Sequence, residues 1–114
     1  LGGRRAHFIL GWSADKDGAG MARALAPVAC TVIATRAGSE RAAVAAEVAA
    51  AMRHAAPALQ VDEAADVTAA LAQARARATA EQPVVVCGSL FLVGEARVAL
   101  GLATADPLAL QDPV

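Results

Sequence analysis

The sequence predicts an α/β protein: a three-layer αβα domain whose parallel sheet of about four strands lies between two layers of helix. Three observations lead there. Four short apolar runs alternate with amphipathic stretches, so the order reads strand, helix, strand, helix throughout. The runs are apolar without alternation, as in strands buried on both faces. The connections are short, which makes each helix a crossover between parallel strands. With right-handed crossovers the leading strand order is 3-2-1-4, a Rossmann-like arrangement with its switch point between strands 1 and 4.

The first run is His7-Phe8-Ile9-Leu10-Gly11-Trp12 and the second is Val28-Ala29-Cys30-Thr31-Val32-Ile33-Ala34. A weaker third is Leu59-Gln60-Val61, and Pro83-Val84-Val85-Val86-Cys87 is the fourth. Length and β-branching favour strands here. Asp17 is placed to cap the first helix, with Met21 and Leu25 on one face and Pro27 after its end. Ser39 is expected to cap the second, to about His54, with Val44, Val48 and Met52 toward the sheet and Glu40, Glu47 and His54 outside. Asp66 caps a third, whose stripe is Val67, Ala70, Leu71, Ala74 and Ala78, with Arg75 and Arg77 pointing out. A last helix over 90–100 follows Ser89, with Glu95 and Arg97 outward. The domain is thus expected over 1–100, with 101–114, carrying Pro107 and Pro113, as an irregular tail.

Composition removes several classes. The chain has 114 residues, a one-domain length, and 57% of them are hydrophobic, with mean hydropathy +0.47. Alanine and valine carry that figure, and no stretch reaches the ~18 uninterrupted apolar residues of a spanning helix. No basic segment followed by an apolar one marks a signal peptide, and a start at Leu1 suggests a piece of something longer. Ten basic and eleven acidic residues give a net charge of −1, with the signs interspersed. Only Phe8, Trp12 and Phe91 are aromatic, so neither a basic stripe nor a stacking platform for nucleic acid is present. Cys30 and Cys87 lack metal-ligand or redox spacing, which suits a reduced, cytoplasmic protein. On strands either side of strand 1 they lie roughly 10 Å apart, beyond the ~7 Å disulfide limit, so two free, buried thiols are expected.

In an open parallel sheet, ligands bind beyond the carboxyl ends of the strands at the switch point. Two loops sit there. Gly11-Trp12-Ser13-Ala14-Asp15-Lys16-Asp17-Gly18 follows strand 1, and Gly88-Ser89 follows strand 4. Lys16, between Asp15 and Asp17, suits either a solvated turn or a fixed cation facing a carboxylate or phosphate; on spacing alone the plain turn leads. Ser89 suits either a simple cap or an anion contact at a helix N-terminus. Thr35-Arg36-Ala37-Gly38-Ser39 reads as an ordinary loop before an anion-binding turn. There is no phosphate loop, dinucleotide turn or nucleophile elbow, and neither His7 nor His54 stands in either loop. A signalling receiver is discounted, because only Asp62 follows Val61 at the end of strand 3 and no lysine follows strand 4.

The strings Gly11-Trp12-Ser13-Ala14-Asp15-Lys16-Asp17 and Val86-Cys87-Gly88-Ser89-Leu90-Phe91-Leu92-Val93-Gly94-Glu95 together resemble the C-terminal domain of folylpolyglutamate synthase and dihydrofolate synthase, in the Mur ligase superfamily. The resemblance runs from about Gly2 to Leu100. It implies a domain of an ATP-dependent ligase that adds glutamate to dihydropteroate or reduced folate through an acyl phosphate. ATP and Mg2+ would be held mainly by an N-terminal ATPase domain of the same parent, so this chain alone is expected to be inactive. Lys16 and Ser89 map onto the amino-acid pocket, with Asp15, Asp17 and Gly88 as further loop contacts, no catalytic residue and no metal ligand. Trp12 stands where many relatives carry a small residue, and Phe91 where they often carry Tyr. The alternative, from another class, is a stand-alone module that binds a small anion without catalysis.

Overall fold

The computed structural model of the chain describes residues 4–102. Strands β1 (Ala6–Leu10), β2 (Ala29–Ala34), β3 (Gln60–Glu63) and β4 (Val84–Cys87) alternate with helices α1 (Gly18–Leu25), α2 (Ala45–Ala55), α3 (Val67–Arg77) and α4 (Leu90–Ala99). A 3-10 turn, Ala26–Val28, with Pro27 in its first turn, joins α1 to β2. The three strand pairings of the sheet are parallel, and the strand order is β3-β2-β1-β4, the one expected. Of the expected tail only Gly101 and Leu102 are described, and 103–114 lie outside the described residues.

The central strand explains the apolar runs. Every residue of β1 is buried because helices cover both sides of it. Successive side chains point to opposite faces, so one strand feeds two cores. Phe8, Leu10, Val32 and Ala34 pack with Ala22, Val48 and Met52 beneath α1 and α2. Ile9 and Ile33 pack with Ala70, Leu71, Ala74 and Leu92 beneath α3 and α4. Ile9 has no exposed surface, and truncating such a side chain to alanine costs about 2–5 kcal/mol. The edge strand β3 is short and exposes Gln60 and Glu63, as an unpaired edge requires. Its two acidic residues explain why the strand is centred later than the apolar residues 59–61.

Three caps stand where the sequence places them. Asp17 accepts from the Gly20 amide at 3.0 Å, Asp66 from Ala69 at 2.9 Å, and Ser89 from Leu92 at 3.3 Å. Ser39 does not cap α2. Its hydroxyl accepts from the Arg41 amide instead, and the helix begins six residues later at Ala45. The intervening segment makes a turn, closed by Ala42 N–H donating to Ser39 O at 3.1 Å, and then runs beside the loop after β1. Ala14 N–H donates to Arg41 O at 2.7 Å, Ala43 N–H donates to Trp12 O at 2.9 Å, and Ser13 and Ala42 form an antiparallel bridge. Tertiary pairing thus overrides the local helix signal. Glu40 falls outside the helix, and Val44, expected toward the sheet, is 45% exposed.

Other outward assignments change as well. Arg77 turns back over the sheet, where Nη2 pairs with Asp62 Oδ2 at 2.7 Å. Ala78 ends α3 and is exposed. Glu95 accepts from the Gly38 amide at 2.8 Å. The first strand stops at Leu10, leaving Gly11 and Trp12 in the following loop. Both cysteines are free, and both are half-buried, not fully buried. Cys30 is the extra residue in the β1–β2 register shift, since Ala6 pairs with Ala29 and His7 with Thr31.

Candidate functional site

The site grows from two glycines where β1 and β4 end side by side. Leu10 is in register with Cys87, so Gly11 and Gly88 follow from adjacent strand ends. Gly88 has φ +101°, the left-handed region, and an added methyl there would run into the Gly11 carbonyl. At Gly11 an added methyl would sit 2.9 Å from Thr35 O. Side chains are excluded from this junction, and the two loops leave it in different directions.

Between the loops opens a cleft of about 470 Å³, lined by Ser13, Lys16, Val86, Cys87, Gly88, Ser89, Leu90, Phe91 and Val93. Lys16 and Ser89, assigned from opposite ends of the sequence, therefore share one cavity. Lys16 is the chain's single lysine and forms no ion pair among the described residues. Its loop is held firmly: Lys16 N–H donates to Ser13 O at 3.0 Å, and Gly18 N–H donates to Lys16 O at 2.9 Å. Trp12, only 4% exposed, supports it from below, its indole within about 3.1 Å of where a Gly18 methyl would stand. Ser89 accepts a hydrogen bond as the α4 cap, which leaves its hydroxyl proton free to donate into the cleft.

The other loop residues divide. Gly88 lines the cleft, whereas Asp15 is exposed and does not. Asp17 uses its carboxylate on the α1 cap. Phe91, 42% exposed, and Leu90, 68% exposed, add an apolar wall that spacing did not single out. Burial pushes the Cys87 thiol up from its ordinary value, so it stays protonated at neutral pH and is a poor nucleophile. Neither histidine reaches the cleft. His7 is buried at the start of β1, its Nδ1 2.8 Å from Thr31 Oγ1 and its Nε2 without a partner. His54 is exposed in the last turn of α2.

A cleft with one cation, the hydroxyls of Ser13 and Ser89, an apolar wall and no carboxylate suits an anionic small molecule with an aliphatic part. It does not fit a hard divalent cation, which wants several oxygen ligands. Among the described residues no three His, Cys, Asp or Glu side chains cluster as metal ligands. None of the described helices is long and apolar enough to cross a membrane.

The fold is the α/β fold of the C-terminal domain of Mur-type ligases, with a crevice where β1 and β4 end. Residues 1–90 match the family model described as Mur ligase, glutamate ligase domain, and the chain belongs to that family. The structure is similar to folylpolyglutamate synthase of Mycobacterium tuberculosis complexed with ADP and AMPPCP, at 29% identity and a TM-score of 0.76. That match covers 86% of this chain and 24% of the synthase. It is also similar to bifunctional folylpolyglutamate synthase/dihydrofolate synthase of Yersinia pestis c092 complexed with AMPPNP and Mn ion, at 26% identity and a TM-score of 0.71. There 86% of this chain and 22% of the other are covered, so the chain spans about a quarter of these relatives' length. No curated protein matches the chain.

Proposed function

We propose that the chain is the glutamate-binding domain of a cytoplasmic, ATP-dependent ligase that joins glutamate to dihydropteroate, to reduced folate or to both. The observation that supports this reading is the meeting of Lys16 and Ser89 in one cleft at the β1–β4 crevice. Membership of the glutamate ligase domain family supplies the amino acid, and the similar synthases supply the folate class.

In such a ligase, ATP phosphorylates the acceptor carboxylate and releases ADP. The glutamate amine then attacks the acyl carbon, the new C–N bond forms, and inorganic phosphate leaves. This chain's part is to bind and orient the amino acid. The Lys16 ammonium pairs with a glutamate carboxylate, and the Ser89 hydroxyl and the N–H groups at the start of α4 hold further oxygen. Phe91 and Val93 cover the aliphatic stem. Held this way, the amine points out of the cleft toward the acyl phosphate, a gain by positioning alone. ATP and Mg2+ are held mainly by an N-terminal ATPase domain of the same parent, as the resemblance to these synthases implies.

The test is an assay of the longer ligase with ATP, glutamate and either dihydropteroate or reduced folate. Glutamate-dependent product and ADP release are expected from it, and neither from the 114-residue chain alone. ADP release by the short chain, or a parent that ignores glutamate, would contradict the proposal.

A further inference from the structure

The geometry points to Glu95 as a positioning residue for the amino-acid cleft, acting through α4 and not by touching the substrate. This rests on the reading of that cleft given above. Helix α4 is the shared wall of two clefts. Ser89, Phe91 and Val93 line the Lys16 cleft, while Glu95, little more than a turn further on, lines a second one with Arg36, Gly38 and Asp66.

Most of what holds α4 is non-directional. Leu92 and Ala96 are buried among Ile9, Ile33, Ala37 and Leu71, contacts that have no directional preference of their own. The Glu95–Gly38 hydrogen bond is different. Glu95 Oε2 accepts from the Gly38 amide at 2.8 Å, a charge-assisted and directional bond to the loop after β2. Among the described residues it is the only side-chain hydrogen bond joining α4 to another element. Gly38 is matched to it, since an added methyl there would stand 2.9 Å from Oε2 and push the carboxylate away. The tether therefore sets the rotation and advance of α4, and with them the place of the Ser89 hydroxyl and the Phe91 ring opposite Lys16.

Steady-state kinetics of the complete ligase test this with four variants measured beside Lys16→Ala. Glu95→Ala is expected to raise the apparent constant for glutamate about threefold or more while leaving that for ATP unchanged. Glu95→Gln keeps an acceptor oxygen for the Gly38 amide and should restore most of the wild-type value. Gly38→Ala should move in the direction of Glu95→Ala. In the double variant Glu95→Ala/Gly38→Ala the second change should add nothing, because the bond is already lost. If Glu95→Ala does not fold, Glu95→Gln against Gly38→Ala decides. A glutamate constant unaltered in Glu95→Ala and Gly38→Ala, or one that rises together with the ATP constant, overturns the assignment. Should Lys16→Ala also leave glutamate unaffected, the cleft reading falls with it. If Lys16→Ala acts and Glu95→Ala does not, only the role of Glu95 falls.

Discussion

Among the described residues, the carboxyl edge of the sheet carries two clefts of similar size, about 470 Å³ and 560 Å³, with opposite electrostatics. The β1–β4 cleft has Lys16 as its only charged lining residue. The cleft at the ends of β2 and β3 sets Arg36 against three carboxylates, Glu40, Asp66 and Glu95. Asp66 is engaged as a helix cap, and Glu95 bridges to Gly38 across that cleft. On charge alone the first opening favours a carboxylate and the second disfavours one. Topology supplies a crevice at the switch point, and side chains set the charge of each opening.

The largest expected effect sharpens that contrast at the level of the backbone. Gly88→Ala should destabilise the domain by roughly 2–4 kcal/mol, from the left-handed φ and the collision with Gly11. At the second cleft an added methyl at Gly38 meets only the far end of Glu95, so Gly38→Ala should cost much less. Denaturant midpoints of the two variants decide it. Equal losses would mean that the two openings are built alike.

A middle effect belongs to Ser89. Ser89→Ala removes a cap and should cost about 1 kcal/mol of stability. It should also raise the glutamate constant less than Lys16→Ala does, since the backbone N–H groups remain. Loss of stability with normal glutamate binding would reduce Ser89 to a cap.

The smallest effect lies on β3, the strand that leads into the second cleft. The hydrogen bond from Gln60, and then that from Arg77 with its charge, hold the Asp62 carboxyl below its ordinary range. A carboxyl with a depressed folded pKa adds stability above its unfolded value, and that contribution fades as pH falls through the folded one. Asp62→Asn should therefore cost about 1 kcal/mol at neutral pH, as a half-exposed pair at the sheet edge does. In acid well below the carboxylate range the variant should match wild type. A difference that persists there would point to packing instead of charge.

How much of this was legible differs between the clefts for a physical reason. The strand order, and with it the meeting of the loops after β1 and β4, could be read because apolar runs and crossover handedness are local or nearly universal signals, whereas Lys16 and Ser89 stood out within those loops only through the family resemblance. The second cleft could not. Its shape depends on the turn at residues 39–42 and on the pairing of 41–43 with Trp12, Ser13 and Ala14 through backbone bonds that no side-chain pattern encodes. Ser39 followed by an alanine-rich stretch reads as a helix start, and only the pairing with the neighbouring loop overrides it. Arg77 and Glu95 misled for a related reason. Helical periodicity places them outside, yet long side chains bend back to partners, Asp62 and Gly38, far away in sequence.

The most direct measurement sets the two clefts' cations against each other: the glutamate constant of the complete ligase in Lys16→Ala and in Arg36→Ala. Lys16→Ala should raise it about tenfold or more, equivalent to ~1.4 kcal/mol of lost binding, with the constants for ATP and the pterin substrate little changed. Arg36→Ala should leave it near wild type, because its cleft is dominated by carboxylates. Normal glutamate kinetics in Lys16→Ala, or a larger loss in Arg36→Ala, would contradict the assignment of the β1–β4 cleft to glutamate.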